Sequence, residues 1–283
     1  MKLLVYGAGV LGTTHAARLH EAGHDVSLLA RGARLDALQE HGVLLAEGES
    51  PVVRRVDVPV ISAPAGRYDL ILVLVRAQQV GAILETLAGL EGDVLFLVNW
   101  AAGPGPLVEA LGERVLLGFP AFGGGVLDGD VVRYGPSSPL TRLVTMPIGE
   151  PDGSSTPRLG RIVELFRAAG IRAKAEPRMD AWLRTHAAVE LPLGQATKEA
   201  GGPRALAERP GQVREMLRRI KQNVAGLPAG PVPRAFGAVR AVPEAVMVPV
   251  LRAFLRSSAA GPLNTVTPAA LGELDLLAEQ LRR

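Results

Sequence analysis

A glycine pattern close to the N-terminus constrains the fold more than any other feature. Residues 7–12 read G-x-G-x-x-G, directly after a strand predicted at residues 3–6 and at the start of a helical pattern, with a second strand predicted at 25–29. In this strand–turn–helix–strand setting the first glycine permits the tight turn, the second lets the backbone approach a pyrophosphate, and the third lets helix and strand pack closely. We therefore expect a dinucleotide site formed by Gly7, Ala8, Gly9, Val10, Leu11 and Gly12.

Strand-like and helix-like segments alternate along the first half of the chain, which is typical of a parallel sheet with crossover helices. From residue 177 onward only helical patterns are found. We predict a Rossmann-type doubly wound α/β domain at residues 1–176 and an all-helical substrate and dimerisation domain at residues 177–283. Strands are predicted at 3–6, 25–29, 70–75, 94–98, 115–119 and 171–175, antiparallel edge strands at 126–134 and 143–148, and helices at 12–22, 34–41, 80–90 and 158–169.

Composition excludes several kinds of site. The 283 residues contain no cysteine, so disulfides, thiolate metal sites and cysteine nucleophiles are excluded, and the five histidines show no metal-binding spacing, so we predict no metal site. The formal net charge of +3 is too small to indicate a nucleic-acid partner. The apolar runs are too short for a signal peptide or a membrane span, so we expect a cytoplasmic protein without a membrane partner.

The residues after the second strand indicate which dinucleotide binds. An NAD enzyme usually carries an acidic residue there, whereas residues 28–34 read Leu-Leu-Ala-Arg-Gly-Ala-Arg. A guanidinium binds a phosphate through two hydrogen bonds, so Arg31, with Arg34 as a second candidate, predicts NADP. The alternative is that both are solvated loop arginines, since all but four of the 31 basic residues of this chain are arginines.

Three further stretches stand out: Ala-Gly-His-Asp-Val at residues 22–26 leads into the second predicted strand, whereas Arg-Ala-Gln-Gln at 76–79 and Val-Asn-Trp at 98–100 lie at the carboxyl ends of later strands. With the motif at residues 7–12, their order and spacing resemble the ketopantoate reductase (2-dehydropantoate 2-reductase) family, over residues 1–184. The resemblance implies a dimeric NADPH-dependent reductase of a small 2-oxo acid or related carbonyl compound, with a link to pantothenate biosynthesis. It implies that Arg76 and Gln79 face the cofactor ribose and phosphates and that Asn99 contacts the nicotinamide end or the substrate. The alternative is that all three are exposed polar residues in loops.

The chain departs from the family at the position of its general acid. Family members carry a lysine in a pattern resembling W-x-K-x-x-x-N-x-x-x-N, where this chain has Trp182, Arg184, Ala188 and Pro192. Arginine stays protonated at neutral pH, so Arg184 is expected to anchor the substrate anion rather than to donate a proton. Two functions therefore stay open: a reductase, and an NADP-binding sensor or interaction protein that has lost turnover.

Two candidates for the proton donor are His186 and an ordered water. Glu190 lies one helical turn beyond His186. At about 100° per residue, however, His186 lies roughly 200° around the helix from Arg184, so the two are not expected to face the same cleft. His186 also shares a predicted apolar stripe with Trp182, Val189 and Leu193, so we favour a packed or partner-facing histidine.

Overall fold

The computed structural model describes residues 1–120, 125–135, 145–257, 260, 263 and 268–282. The chain forms two compact units, one made of residues 1–98 and 104–179 and the other of residues 99–103 and those from 180 onward. The strands are β1 Lys2–Tyr6, β2 Asp25–Leu29, β3 Val43–Glu47, β4 Arg54–Val56, β5 Val60–Ile61, β6 Arg67–Val73, β7 Glu91–Leu97, β8 Val115–Gly118, β9 Gly125–Asp128, β10 Val131–Tyr134, β11 Met146–Gly149 and β12 Ala173–Ala175. The helices are α1 Val10–Glu21, α2 Gly32–His41, α3 Leu84–Ala88, α4 Gly105–Leu111, α5 Pro157–Ala168, α6 Met179–Ala200, α7 Pro203–Ala207, α8 Pro210–Ala225, α9 Glu244–Arg256 and α10 Pro268–Arg282.

An eight-stranded sheet forms the centre of the first unit, in the order β12-β11-β8-β7-β6-β1-β2-β5. Its strands pair in parallel except for β11, which runs antiparallel to β8. From β1 the chain builds outward to β2 on one side and then returns to β6 on the other, so the strand order reverses between β1 and β6. Ligands of open α/β sheets bind at such a reversal, beyond the carboxyl ends of the strands. The prediction of a parallel α/β sheet followed by a helical region is confirmed.

A second sheet, in the order β4-β3-β10-β9, was not predicted. The segment predicted as an antiparallel edge strand at 126–134 forms the hairpin β9–β10, but it pairs with β3 instead of extending the main sheet. Val132 on β10 is fully buried, which requires a partner strand and a covered face. Of the strand predicted at 143–148, residues 143 and 144 lie outside the described residues, and the rest falls in β11 beside β8.

The helix predicted at residues 80–90 is largely wrong. Two 3-10 turns at Ala77–Gln79 and Gly81–Ile83 precede the short helix α3. Gly81 accounts for part of this difference, because glycine costs about 1 kcal/mol relative to alanine inside an α-helix.

The second unit is built around α6, which contains Pro192. Proline has no backbone N–H, so the usual donor to the carbonyl of Ala188 is missing. The side chain of Asn223 on α8 donates to that carbonyl over 3.2 Å. Ala188 itself is buried in an apolar cluster with Leu206, Leu217 and other residues of the helices α7 to α9. Within the described ranges, no helix is both long and apolar enough to cross a membrane.

Candidate functional site

The three glycines of the glycine-rich turn differ in how much space a Cβ atom would find. Gly7 has φ +119°, and a Cβ atom there would lie 2.4 Å from the carbonyl oxygen of Leu74 at the end of β6. A Cβ atom at Gly12 would lie 1.8 Å from the carbonyl oxygen of Gly7, so the first turn of α1 lies directly against the loop. A Cβ atom at Gly9 would meet no atom of the described residues within 4 Å. The structure therefore needs glycine at positions 7 and 12, whereas the open space at Gly9 leaves room for a ligand.

The residues at the start of α1 carry the polar groups that would face such a ligand. The first N–H groups of a helix have no partner within the helix. The first turn of α1 contains no acidic residue, so nothing in it repels an anion at this end. Backbone N–H groups at a helix start hold phosphates in dinucleotide-binding turns. Ala8, Val10 and Leu11 lie in this turn, as the sequence motif predicts.

Arg31 follows β2 and lies exposed beside the end of β1. Its Nη2 donates to the hydroxyl of Tyr6 over 2.9 Å, and the guanidinium lies 5.9 Å from the centre of the Tyr6 ring. Both contacts restrain the long side chain near the glycine-rich turn. The helix α2 begins directly after Arg31 and has no acidic residue in its first turn. The surroundings of Arg31 therefore favour an anion.

Arg34, on α2, forms a hydrogen bond with the same turn. Its Nε donates to the carbonyl of Ala8 over 3.2 Å, and its Nη1 donates to the carbonyl of Asp130 over 3.3 Å. Its Nη2 is buried and has no hydrogen-bond partner among the residues that the structure describes. Burial lowers the pKa of the Arg34 guanidinium, and the charge of Asp130 opposes that shift. An unpaired buried donor beside the turn fits an acceptor supplied by a ligand.

Arg76 and Gln79 follow β6, on the other side of the strand-order reversal. The Oε1 atom of Gln79 accepts a hydrogen bond from the backbone N–H of Arg76 over 3.0 Å, which closes the 3-10 turn. Both side chains are exposed. The contact between Gly7 and the backbone of Leu74 places this loop and the glycine-rich turn at the same edge of the sheet. Because Gln79 stabilises its own turn, its presence does not by itself require a ligand.

The second cluster of predicted site residues lies in the second unit. Residues 99–103 lie along one face of α6. In the sequence they come directly after β7 and Val98, which belong to the first unit. Asn99 Nδ2 donates to Glu190 Oε2. Ala101 packs with Ala187 in an apolar cluster, and its backbone N–H donates to Gln280 on α10 over 2.8 Å. The sequence prediction placed Asn99 in the first domain, whereas these contacts join it to the helical unit.

Arg184 lies on the same face of α6. Its Nε is 3.3 Å from Asp180 Oδ2, and 21% of its side chain is exposed. A Cβ atom at Gly103 would lie 3.4 Å from Arg184 Nη2, so the loop passes close to the guanidinium. The ion pair uses Nε rather than the end formed by Nη1 and Nη2. That end is the part of a guanidinium that binds a carboxylate through two parallel hydrogen bonds.

His186 forms the predicted pair with Glu190, with 2.7 Å between Nε2 and Oε2. Its ring stacks on Trp182, with 5.5 Å between ring centres and 6° between planes. Both aromatic side chains are half-buried, as a position on the predicted apolar stripe allows. His186 and Arg184 project in different directions from α6, but Glu190 lies between them on the helix surface and contacts both His186 and Asn99. Sequence reasoning missed the Asn99–Glu190 contact, which joins residues 91 positions apart.

The chain is similar to one known protein family and to several curated relatives. The family model described as ketopantoate reductase PanE/ApbA matches residues 3–138. A 2-dehydropantoate 2-reductase of Mesorhizobium japonicum is 26% identical over 209 residues, which are 65% of this chain and 63% of the relative, so the chain spans less than two-thirds of that relative's length.

Two solved structures share the fold over nearly the whole chain. The 2-dehydropantoate 2-reductase of Geobacter metallireducens GS-15 has a TM-score of 0.71 at 18% identity and covers 100% of this chain and 99% of its own. A D-mandelate dehydrogenase, solved in a ternary complex with NADH and anilino(oxo)acetate, has a TM-score of 0.69 at 16% identity, with 100% and 99% covered.

Proposed function

We propose that the chain is a divergent member of the ketopantoate reductase PanE/ApbA family, whose model matches residues 3–138, and that it is an NADPH-dependent reductase of a small 2-oxo acid or related carbonyl compound. The observation that carries the proposal is the pair of arginines at the glycine-rich turn. Arg31 is restrained beside Tyr6, and Arg34 keeps a buried Nη2 without a partner. No acidic side chain lies in the first turn of either helix.

The residues of the first unit fit a dinucleotide carrying a 2′-phosphate. The open space at Gly9 accommodates the pyrophosphate, and the backbone N–H groups at the start of α1 bind its oxygens. Arg31 and Arg34 would hold the 2′-phosphate, with Arg76 and Gln79 facing the ribose and phosphates from the loop after β6. NADPH, when bound, supplies the hydride that reduces a carbonyl carbon.

Exchange of Arg31 tests the choice of cofactor. Arg31→Asp is expected to weaken NADPH binding about 100-fold or more while leaving NADH within about threefold, because a charge-assisted bidentate contact to phosphate becomes a repulsion. Binding is measured by fluorescence titration of both nucleotides. Arg161→Asp, a change of equal charge at an exposed arginine on α5, is the matched control. Equal losses for both nucleotides in Arg31→Asp would contradict the 2′-phosphate assignment.

The residues of the second unit would bind and orient the acid substrate. We propose that the Nη1 and Nη2 groups of Arg184 bind its carboxylate, while Asp180 holds Nε. Asn99 would contact the substrate or the nicotinamide end. A proton must reach the carbonyl oxygen as the alcohol forms, and arginine side chains are poor proton donors. The proton would come from His186 or from an ordered water.

Removal of the Arg184 side chain tests the anchor. Arg184→Ala is expected to raise KM for a 2-oxo acid about 10- to 100-fold with a smaller change in kcat, because a charge-assisted contact present throughout the reaction is lost. Steady-state oxidation of NADPH with a panel of 2-oxo acids gives both constants. Arg204→Ala, at an exposed arginine of α7, is the control. An unchanged KM in Arg184→Ala would remove Arg184 from the substrate site.

A second function is favoured by one observation. Arg184, Ala188 and Pro192 stand where the family pattern has its lysine and two asparagines. An NADP-binding sensor or interaction protein would need the dinucleotide site of the first unit but not the lysine and the two asparagines. Tight NADPH binding without oxidation by any carbonyl compound in the panel would favour this function over the reductase. A homodimer formed through the helical unit stays a prediction.

A further inference from the structure

We infer that Glu190 is a positioning residue, which fixes the amide of Asn99 and the ring of His186 for the reaction proposed above. Helical spacing predicts the pairing of Glu190 with His186 but not its contact with Asn99, and the inference about its catalytic effect rests on the proposed reductase function. The contacts that carry it are those of one oxygen: Glu190 Oε2 lies 2.7 Å from His186 Nε2 and accepts from Asn99 Nδ2.

The chemistry of a carboxylate determines how both neighbours are oriented. An ionised carboxylate only accepts hydrogen bonds, so each group that it contacts must turn a donor toward it. Asn99 therefore presents its NH2 group to Glu190, and its carbonyl Oδ1 must point elsewhere. That Oδ1 atom is buried and has no hydrogen-bond partner in the described part of the chain. A buried acceptor without a partner is costly, and it fits a donor that arrives with a ligand, such as a carboxamide or hydroxyl group.

The same rule fixes the protonation pattern of His186. In a neutral imidazole only one nitrogen carries a proton, and the contact with Glu190 requires that proton on Nε2. In the neutral ring Nδ1 is then the nitrogen without a proton. The stack on Trp182 holds the ring plane, so both the rotation of the ring and its tautomer are restrained.

Neighbouring positions on α6 explain why Glu190 reaches both groups. Glu190 lies one helical turn after His186. It also borders the face of α6 that Ala187 presents to residues 99–103. Its side chain is 35% exposed, and that of His186 is 30% exposed, so water reaches the pair. Glu190 thus joins a partly exposed histidine to Asn99, two residues after the end of β7.

The first arm of the test reads the hydrogen bonds without cofactor or substrate. Long-range proton–nitrogen spectra of the 15N-labelled full chain, recorded at high pH where imidazoles are neutral, show which nitrogen of His186 carries the proton. His186→Gln assigns the signal among the five histidines. We expect the Nε2–H tautomer in the wild type, in Glu190→Gln, which keeps an acceptor oxygen, and in Glu199→Ala, an exposed control on the same helix. We expect a tautomer mixture in Glu190→Ala.

The second arm reads the reaction. We expect kcat with a 2-oxo acid to fall about 10- to 100-fold in Glu190→Ala, because the charge and the acceptor oxygens are both lost. We expect a smaller fall in Glu190→Gln, which loses the charge but keeps one acceptor oxygen. The dissociation constant of NADPH is expected to stay within about threefold, since Arg31 and the glycine-rich turn are untouched. An unchanged tautomer in Glu190→Ala, or a kcat within twofold of Glu199→Ala, would overturn the inference. A wild-type chain that oxidises no NADPH would refute the proposed function, and the spectra would still decide whether Glu190 orients His186.

Discussion

Gly12→Ala is expected to lower the free energy of unfolding by about 3 to 5 kcal/mol, the range of severe overpacking and backbone-strain variants. The added Cβ atom would lie 1.8 Å from the carbonyl oxygen of Gly7, which is backbone and has no rotamer to escape to. Either α1 moves away from β1 or the turn opens, and both changes destroy the arrangement of backbone N–H groups at the cofactor site. Urea denaturation and NADPH titration of the variant measure the two effects.

Gly9→Ala is the matched control, since the same methyl group is added three residues earlier. No atom of the described residues lies within 4 Å of that position, so we expect a loss of only about 1 kcal/mol in the free energy of unfolding, which is the typical cost of alanine at a helix N-cap. NADPH binding should nevertheless weaken, because the methyl group occupies the space left for the pyrophosphate. Equal stability of Gly12→Ala and Gly9→Ala would show that the turn adapts more freely than the contact distance indicates.

Acid is expected to destabilise the first unit through His15. This side chain is fully buried on α1, donates Nδ1–H to the carbonyl of Leu11 over 2.7 Å and meets the ring of Phe166 edge-on. Burial lowers the pKa of His15 from 6.5 to about 4. Above pH 6.5 the ring is neutral in both states, whereas between pH 6.5 and 4 the unfolded chain binds a proton that the folded chain rejects. Stability therefore falls across this window, by about 2 to 3 kcal/mol between pH 7 and 4.5.

Exchange of the histidine isolates its contribution. In His15→Leu the free energy of unfolding should depend less on pH between 7 and 4.5, by about 2 kcal/mol, whatever the change in stability at neutral pH. Urea denaturation of both proteins at the two pH values gives the difference. A pH dependence as steep in His15→Leu as in the wild type would assign the acid effect to other groups.

Local patterns predicted the parts of the fold that local rules control. The turn at residues 7–12 combines a motif, a strand and a helix within about 30 residues, and the structure places each glycine as the motif requires. The segment 43–47, by contrast, was not predicted as a strand. Its place in the second sheet depends on β10, which lies more than 80 residues further along the chain. Single-sequence patterns contain no information about such pairing partners.

The same limit applies to the candidate site. The pairing of His186 with Glu190 follows from helical spacing and is predictable, whereas the contact of Glu190 with Asn99 depends on how a loop packs against a helix. Helical geometry places His186 and Arg184 in different directions, and it does not show that a third residue joins one of them to a distant loop. The role of each residue in binding or catalysis stays a prediction until the variants are measured.

The position of residues 99–103 has a consequence for the order in which the protein is completed during synthesis. The strand β7 finds its neighbours among residues already made or soon to follow. Residues 99–103, however, contact α6 and, through the backbone of Ala101, a glutamine 179 residues further on. While the ribosome makes the chain N-terminus first, this segment has no helix to pack against until the C-terminal helices have emerged. Asn99 is therefore among the last residues of the candidate site to reach its final surroundings, although it is synthesised before more than half of the chain.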